Sequence, residues 1–186
     1  LQRLQQEMGA DNFLSQADEI GLKLNREYHR RDVLLPRNTE QLVTMVRLAN
    51  QYHVPLYPIG NGSRFSQGIG PFEEGVLVSL RHMAGVVENR PDNMSIEVEA
   101  GITVSKVQEV LKADNIYFPI DANDRSTVGG LIAANGYGRK KYRHKTARFY
   151  VLGMEFVSPP GELIQVGGRT IKNVSSYDLH QLLAGS

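Results

Sequence analysis

The chain has 186 residues, 41% hydrophobic and 22% charged, enough for one sizeable domain or two small subdomains with a core. A net charge of +1 leaves a weak overall field, so bulk electrostatics give no reason to expect nucleic acid or an acidic membrane as partner. The absence of cysteine excludes disulfides, thiolate catalysis and cysteine-held zinc or iron–sulfur clusters within this chain, and is compatible with a cytoplasmic location.

Taken in order, the opening residues are mostly polar and read as no secretory signal. Leu1, Leu4 and Met8 are spaced for one face of a short helix, and Phe13, Leu14, Ala17 and Ile20 for another. Val33-Leu34-Leu35 before Pro36 reads as a short strand. Asn38, with Gln41 three residues on, forms a capping box for a helix that places Leu42, Met45, Val46 and Ala49 on one face. Pro55 ends that helix, and Val54 to Ile59 is the next strand of a βαβ unit that runs into a glycine loop. Val76 to Leu80 is another apolar strand, while Ser95 to Glu99 alternates as a half-buried strand does. Val104, Val107 and Leu111 mark a helix stripe, with Ser105 and Gln108 offering a second capping box. Val151 to Val157 and Leu163 to Val166 are strands joined by the turn Pro159-Pro160-Gly161-Glu162, and Tyr177 to Leu183 is a final helical turn or two. The fold expected is α+β with two subdomains, 1–92 and 93–186, dividing near Asn89 to Asn93. No apolar run approaches the roughly 20 residues of a membrane helix. The chain stops at Gly185-Ser186 inside a glycine-containing turn, which reads as a truncation.

The first glycine loop is Pro58-Ile59-Gly60-Asn61-Gly62-Ser63-Arg64-Phe65-Ser66-Gln67-Gly68. Glycines after a strand let backbone N–H groups converge on an anion, because no Cβ blocks close approach. Ser63 adds a hydroxyl donor and Arg64 a positive charge, which suits a phosphate or pyrophosphate. The Rossmann fingerprint fails, since Phe65 stands where a third glycine or alanine is needed and Pro71-Phe72 interrupt any following helix. The Walker Gly-Lys-Ser/Thr occurs nowhere. A plain glycine-rich surface turn is the competing reading of this loop alone.

A second loop, Asp124-Arg125-Ser126-Thr127-Val128-Gly129-Gly130-Leu131-Ile132-Ala133-Ala134-Asn135-Gly136-Tyr137-Gly138, is small and apolar. Ser126 and Thr127 cap a helix whose first turn holds Gly129 and Gly130, an arrangement that presents free N–H groups and a partial positive charge. Gly130 with Ala133 and Ala134 forms a small face on which a flat ring or a second backbone packs closely; helix–strand packing that merely prefers small residues is the alternative.

The segment Ser126 to Gly138 resembles the stretch that wraps FAD in the vanillyl-alcohol-oxidase, or PCMH-type, flavoproteins. The resemblance runs almost end to end. Leu35 to Leu42 is similar to that family's opening strand and helix, Pro58 to Gly68 to its pyrophosphate loop, and Val98 to Thr103 to its central strand-to-helix junction. Gly168-Arg169-Thr170-Ile171-Lys172-Asn173-Val174-Ser175-Ser176-Tyr177-Asp178-Leu179 resembles most the glycolate oxidase FAD subunits and D-lactate dehydrogenases. What the resemblance implies is a two-subdomain PCMH-type FAD-binding fold, with FAD held between the subdomains and its pyrophosphate on the loop Ile59, Gly60, Asn61, Gly62, Ser63, Arg64, Phe65 and Gly68. It also implies cofactor contacts around Pro119, Asp121, Thr127, Val128, Gly129, Gly130, Ala133, Ala134, Asn135 and Gly138. Small residues there suit a flat, largely apolar ring.

Several departures accompany it. The first loop carries no histidine, so a covalent flavin linkage from this loop is not available and FAD is expected to be non-covalent. Where the family reads Tyr-Gly-Thr/Ser-x-Arg-Asp, this chain reads His144-Lys145-Thr146-Ala147-Arg148-Phe149; Ile59 precedes the first loop glycine, and Ser176 stands where glycine is usual.

The resemblance implies oxidation of a small 2-hydroxy acid, glycolate or D-lactate, by hydride transfer to FAD. The family's general base comes from a second, substrate-binding domain that this chain lacks, so no catalytic residue is named and the fragment alone is expected to be inactive. Two alternatives stand beside this: an aryl-alcohol or 4-alkylphenol oxidoreductase of the same superfamily, toward which the Pro58-Ile59 entry and Arg64-Phe65 lean, and a non-catalytic FAD electron-transfer subunit. A scaffold that keeps the fold without FAD is a third. A small-molecule substrate and a partner subunit or electron acceptor are the expected partners. The basic run Arg139, Lys140, Lys141, Arg143 and Lys145, interleaved with Tyr137 and Tyr142, reads as a solvated loop or subunit contact, with no nucleic-acid motif around it. His29, His53, His82, His144 and His180 lack ligand spacing, so no metal is expected. Glu97 and Glu99, with Glu88 and Asp92 upstream, read as a solvated sheet face.

Overall fold

The structure, a computed structural model, describes residues 6, 13–14, 31–62, 74–120, 122–139, 141–168 and 179–185. The chain forms two units: one of Leu1–Ala84 with Val157–Glu162, the other of Gly85–Phe156 with Leu163–Ser186.

In the first unit, β1 (Phe13–Leu14), β2 (Val33–Leu34), β3 (Leu56–Ile59) and β4 (Val76–Ser79) form one sheet in the order β1-β2-β4-β3. β4 is parallel to both its neighbours, and β1 runs antiparallel to β2. Phe13 and Leu14 are therefore strand residues, not helical ones: Phe13 pairs with Leu34 and Leu14 with Val33. Two adjacent apolar residues carry no period of their own, so backbone pairing decides. Leu1, Leu4, Met8, Ala17 and Ile20 lie outside the described residues.

Between β2 and β3 runs α1 (Thr39–Gln51). Asn38 caps it, its Oδ1 accepting from Gln41 N at 2.9 Å. Gln41 Oε1 accepts from Arg37 N at 2.8 Å, one residue ahead of the cap, so the box closes on the entering chain. Its buried Met45 packs with Leu34, Val76 and Val78, and Leu42 and Leu48 pack around that cluster. A fully buried side chain of this size contributes about 1.5–3 kcal/mol. β4 alternates Val76 and Val78 toward this cluster with Leu77 and Ser79 away from it, and all four are buried, as in a parallel strand covered on both faces. Pro58 is tolerated because β3 is the last strand of the sheet. The turn at 158–162 closes on itself, Ser158 N donating to Glu162 O at 2.8 Å, and is held by α1: Arg47 Nε donates to Gly161 O at 3.0 Å and the Asn50 amide donates to Pro159 O.

The second unit opens with a hairpin of β5 (Val86–Arg90) and β6 (Ser95–Val98), turned by a short 3-10 segment Pro91–Asn93 and a left-handed Met94 (φ 49). The division expected at Asn89 to Asn93 thus falls on the turn of one hairpin, and the units part at Ala84/Gly85 instead. Helix α2 (Val104–Ala113) follows, then α3 (Val128–Ala133), α4 (Lys141–His144), a 3-10 turn Ala147–Tyr150, the two-stranded sheet β7 (Gly153–Val157) and β8 (Leu163–Gly167), and α5 (Leu179–Leu183). The cap of α2 is Thr103, not Ser105: the extended backbone of Thr103 sets its Oγ1 to accept from Lys106 N at 3.3 Å. Gln108 is consequently no box partner and holds a loop instead. Two buried clusters underlie these helices, one of Ile102, Val107 and Leu111, the other of Val104, Ile120, Leu131 and Ala147.

Candidate cofactor-binding site

In the first unit, the chain leaves β3 at Ile59, whose side chain is buried in the core, so at this position only the main chain faces the loop. Gly60, Asn61 and Gly62 bend the chain directly after β3, and Gly62 takes a left-handed φ of 71°. The carboxyl edge of parallel strands is where open α/β sheets take their ligands. Beside the loop, Ser79 ends β4 in register with Ile59. Its side chain is fully buried and, among the described residues, its Oγ has no hydrogen-bond partner. Sequence reading passed over this residue, although it is the one polar position in an otherwise apolar strand. Ser63, Arg64, Phe65 and Gly68 lie outside the described residues.

In the second unit, α2 and α3 start side by side, and Thr103 and Thr127 form an isolated antiparallel bridge. Val104 N donates to Ser126 O and Val128 N to Ile102 O, both at 2.9 Å. The first four N–H groups of α3 are then all engaged within the protein. Besides Val128, Gly129 N donates to Ala100 O at 2.8 Å, Gly130 N to Thr127 Oγ1 at 3.2 Å and Leu131 N to Thr127 O at 2.9 Å. The expectation of free N–H groups at this helix start is therefore not met, because Ala100 and Ile102 of the strand-to-helix junction take two of them and Thr127 takes the other two. For Gly129 the reason is close packing: a Cβ there would stand 2.8 Å from Ala100 Cβ. The opposite face is different. Gly130 and Ala133 on α3 and Ala134 at its C-terminal cap are exposed, while Leu131 is buried. That face is a small, flat shelf able to take a ring.

The chain around this shelf is fixed from within. Gln108 on α2 grips Phe118 with both amide atoms, Nε2 donating to Phe118 O at 2.6 Å and Oε1 accepting from Phe118 N at 3.1 Å. This holds Pro119 next to the buried Ile120; Asp121 lies outside the described residues. Val128 packs against the Ile102 cluster. Asn135 takes a left-handed φ of 41° after α3, and its Oδ1 accepts from Arg148 N at 3.2 Å. Gly138 O accepts from Lys141 N at 3.1 Å. Arg148, retained from the family's pattern with Thr146, donates through Nε and Nη2 to Ala184 O and so closes the end of α5. Lys145, where the family has glycine, carries a left-handed φ of 57°. Two cations of the basic run lie over rings, Lys141 Nζ 4.1 Å from the Tyr137 centroid and Lys145 Nζ 4.5 Å from that of Phe149.

Of the acidic residues read as a sheet face, Glu97 is exposed, Glu99 accepts from Gly85 N and Glu88 pairs with Arg90 at 2.6 Å. Burial raises the carboxyl of Asp32 above the ordinary carboxylate value, against the pull of Arg31. Among the described residues no group of three His, Cys, Asp or Glu is placed to hold a metal, and no helix is long and apolar enough to cross a membrane. Of the segment from Gly168 to Leu179, residues 169–178 lie outside the described residues.

The glycine turn with the buried Ser79 hydroxyl lies in the first unit, and the exposed small residues of α3 lie in the second. Residues 31–167 match the family described as FAD binding domain. The chain is 36% identical over 155 residues to D-lactate dehydrogenase of Archaeoglobus fulgidus, covering 83% of this chain and 35% of that protein. It is 30% identical over 156 residues to glycolate oxidase subunit GlcD of Bacillus subtilis, covering 83% and 33%. D-2-hydroxyglutarate dehydrogenase of Stutzerimonas stutzeri matches at 30% identity over 156 residues, covering 83% and 34%. The chain thus spans about a third of the length of these relatives. Alkyldihydroxyacetonephosphate synthase has the same fold, with a TM-score of 0.82 at 18% identity over 100% of this chain and 37% of that one. A Phl p 4 variant described as a glucose oxidase superposes with a TM-score of 0.78 at 16% identity, over 98% and 39%. These matches agree on one assignment: the chain belongs to the FAD-binding domain family, with the PCMH-type α+β fold and FAD as its cofactor.

Proposed function

We propose that this chain is the FAD-binding part of an oxidoreductase that oxidises a small 2-hydroxy acid such as D-lactate or glycolate. The observation that carries this is the 36% identity to a D-lactate dehydrogenase across 83% of the chain, with glycolate oxidase and D-2-hydroxyglutarate dehydrogenase relatives beside it. All three names specify a hydroxyl next to a carboxylate.

FAD, when bound, supplies the acceptor for the hydride of the substrate's α-carbon. The chain's own part is to hold it. Ile59 to Gly62, with Ser63, Arg64, Phe65 and Gly68, take the pyrophosphate through main-chain N–H groups and the Arg64 charge. Gly130, Ala133 and Ala134 offer the surface on which the ring lies, with nothing larger than a methyl group to lift it. Pro119, Asp121, Thr127, Val128, Gly129, Asn135 and Gly138 complete the contacts, with Gln108 and the Thr103–Thr127 bridge keeping their main chain in place. Substrate binding and the proton acceptor lie outside this chain, and the word subunit in the name of the glycolate oxidase relative supports a partner subunit.

The test has two arms. The purified chain should be yellow and should release FAD, identified by chromatography, on denaturation. The intact protein, given D-lactate, L-lactate, glycolate, D-2-hydroxyglutarate and a 4-alkylphenol, should bleach its flavin with a D-2-hydroxy acid or glycolate. Bleaching by the alkylphenol alone would replace the proposed substrate class.

A further inference from the structure

The hydroxyl of Ser79 is an unexplained feature of the first unit. It sits at the carboxyl end of β4, paired in register with Ile59, from which the chain runs into the Gly60–Gly62 turn. Val76, Leu77 and Val78 before it are all apolar and buried, and Ser79 is 0% exposed. A serine in such a place normally returns its hydroxyl to a nearby carbonyl, since a buried polar group without a partner is destabilising. Among the described residues Ser79 Oγ has none. Two other buried side-chain atoms among them share this state, Asn89 Oδ1 and His180 Nδ1, and both belong to the second unit. Asn89 already donates through its amide to Asp114 at 2.8 Å. Of the three, Ser79 alone neighbours the glycine turn.

An alanine would fill the position with less cost if the hydroxyl had no work. We propose that Ser79 is a positioning residue for FAD: its hydroxyl bonds the main chain of the Gly60–Gly62 turn when that turn takes up the pyrophosphate. The strand pairing makes this reach natural, because the turn begins one residue after the register partner of Ser79. The hydrogen bond is then made only with cofactor in place, so the hydroxyl favours the FAD-bound protein and burdens the FAD-free one. This rests on the reading that the loop holds the pyrophosphate of FAD.

The experiment compares wild type, Ser79→Ala, Ser79→Cys and Ser79→Thr in the intact protein, stripped of flavin and titrated with FAD. Unfolding is followed with and without FAD. Ser79→Ala should bind FAD about three- to tenfold more weakly, the worth of one net hydrogen bond, while the FAD-free form unfolds at the same or a higher temperature. Ser79→Cys, which fills the volume without a strong donor, should behave like the alanine variant, and Ser79→Thr should restore affinity. Unchanged FAD affinity in Ser79→Ala would overturn the proposal. So would failure of Ser79→Ala to fold, or equal loss of stability with and without FAD, since either makes the hydroxyl a permanent part of the fold. Wild-type protein that takes up no FAD would sink the FAD reading itself, whatever the variants do.

Discussion

Replacing Thr127 tests the paired helix starts most directly. Thr127 is 4% exposed, its Oγ1 accepts from Gly130 N at 3.2 Å and its carbonyl accepts from Leu131 N at 2.9 Å. Thr127→Val keeps the branched shape and the extended backbone but removes the oxygen. Gly130 is exposed, so its released N–H finds water, and the loss is that of an N-cap, about 1 kcal/mol. Thr127→Ser keeps the oxygen and loses a buried methyl, about 0.8 kcal/mol by transfer alone. Thr127→Ala loses both, about 2 kcal/mol if the two add. Each 1 kcal/mol lowers Tm by about 2–4 °C in a chain of this size. Urea unfolding followed by far-UV circular dichroism is the assay, since the chain has no tryptophan. The order expected is wild type, then Ser and Val together, then Ala. A valine variant as stable as wild type would refute the capping role, and a serine variant as weak as alanine would show that packing alone holds this helix start.

Four further outcomes follow from the same geometry. Gly161→Ala should cost about 1–2 kcal/mol for its left-handed backbone, and more where the new Cβ, 2.5 Å from Arg47 Cγ, displaces that side chain; urea midpoints measure it. Ala133→Phe should lower FAD affinity at least about tenfold while leaving FAD-free stability within about 0.5 kcal/mol, because the site is exposed; fluorescence titration and unfolding together check both halves. Gly129→Val should destabilise by about 1–3 kcal/mol through overpacking on Ala100, read as a lowered Tm with or without FAD. Asp32 gives a pH signature. Burial raises its folded pKa, so its contribution is present below the unfolded value and is lost as pH rises through the raised one. Asp32→Asn should therefore gain on wild type toward neutral pH and lose that advantage in acid, measured as the difference in unfolding midpoints across that range.

Much of the fold was legible because local chemistry and tertiary packing agree. Asn38 and Gln41 announce α1, the apolar run at Val76 announces β4, and Pro159 to Glu162 announces the hairpin turn. The failures share a cause: a partner distant in sequence outbids a local signal. Ser105 is as good a cap by type as Thr103, but Thr103 is already extended by its bridge to Thr127, so the helix starts there. Gln108 fits a capping box, but the Phe118 main chain offers it two bonds. The glycine pair at Gly129 and Gly130 looked like one anion site. Folding gives one glycine to packing on Ala100 and leaves the other on the exposed shelf, and only the contact decides which. Ser79 carried a weak signal, a lone hydroxyl in an apolar strand, whose meaning depends on finding no partner in three dimensions.

The turn at 158–162 belongs to the unit built mainly from the first 84 residues, yet the strands on either side of it are assigned almost wholly to the other unit. The backbone therefore leaves its first unit, returns for the six residues Val157–Glu162, and leaves again. A gene fragment stopped after Ala84 would encode α1 without the Gly161 carbonyl that Arg47 holds and without the Pro159 carbonyl that Asn50 holds. Recombination that exchanges whole modules between relatives at the 84/85 junction would break the same contacts, unless the returning turn travels with its helix. In this architecture the heritable unit is longer than the structural one.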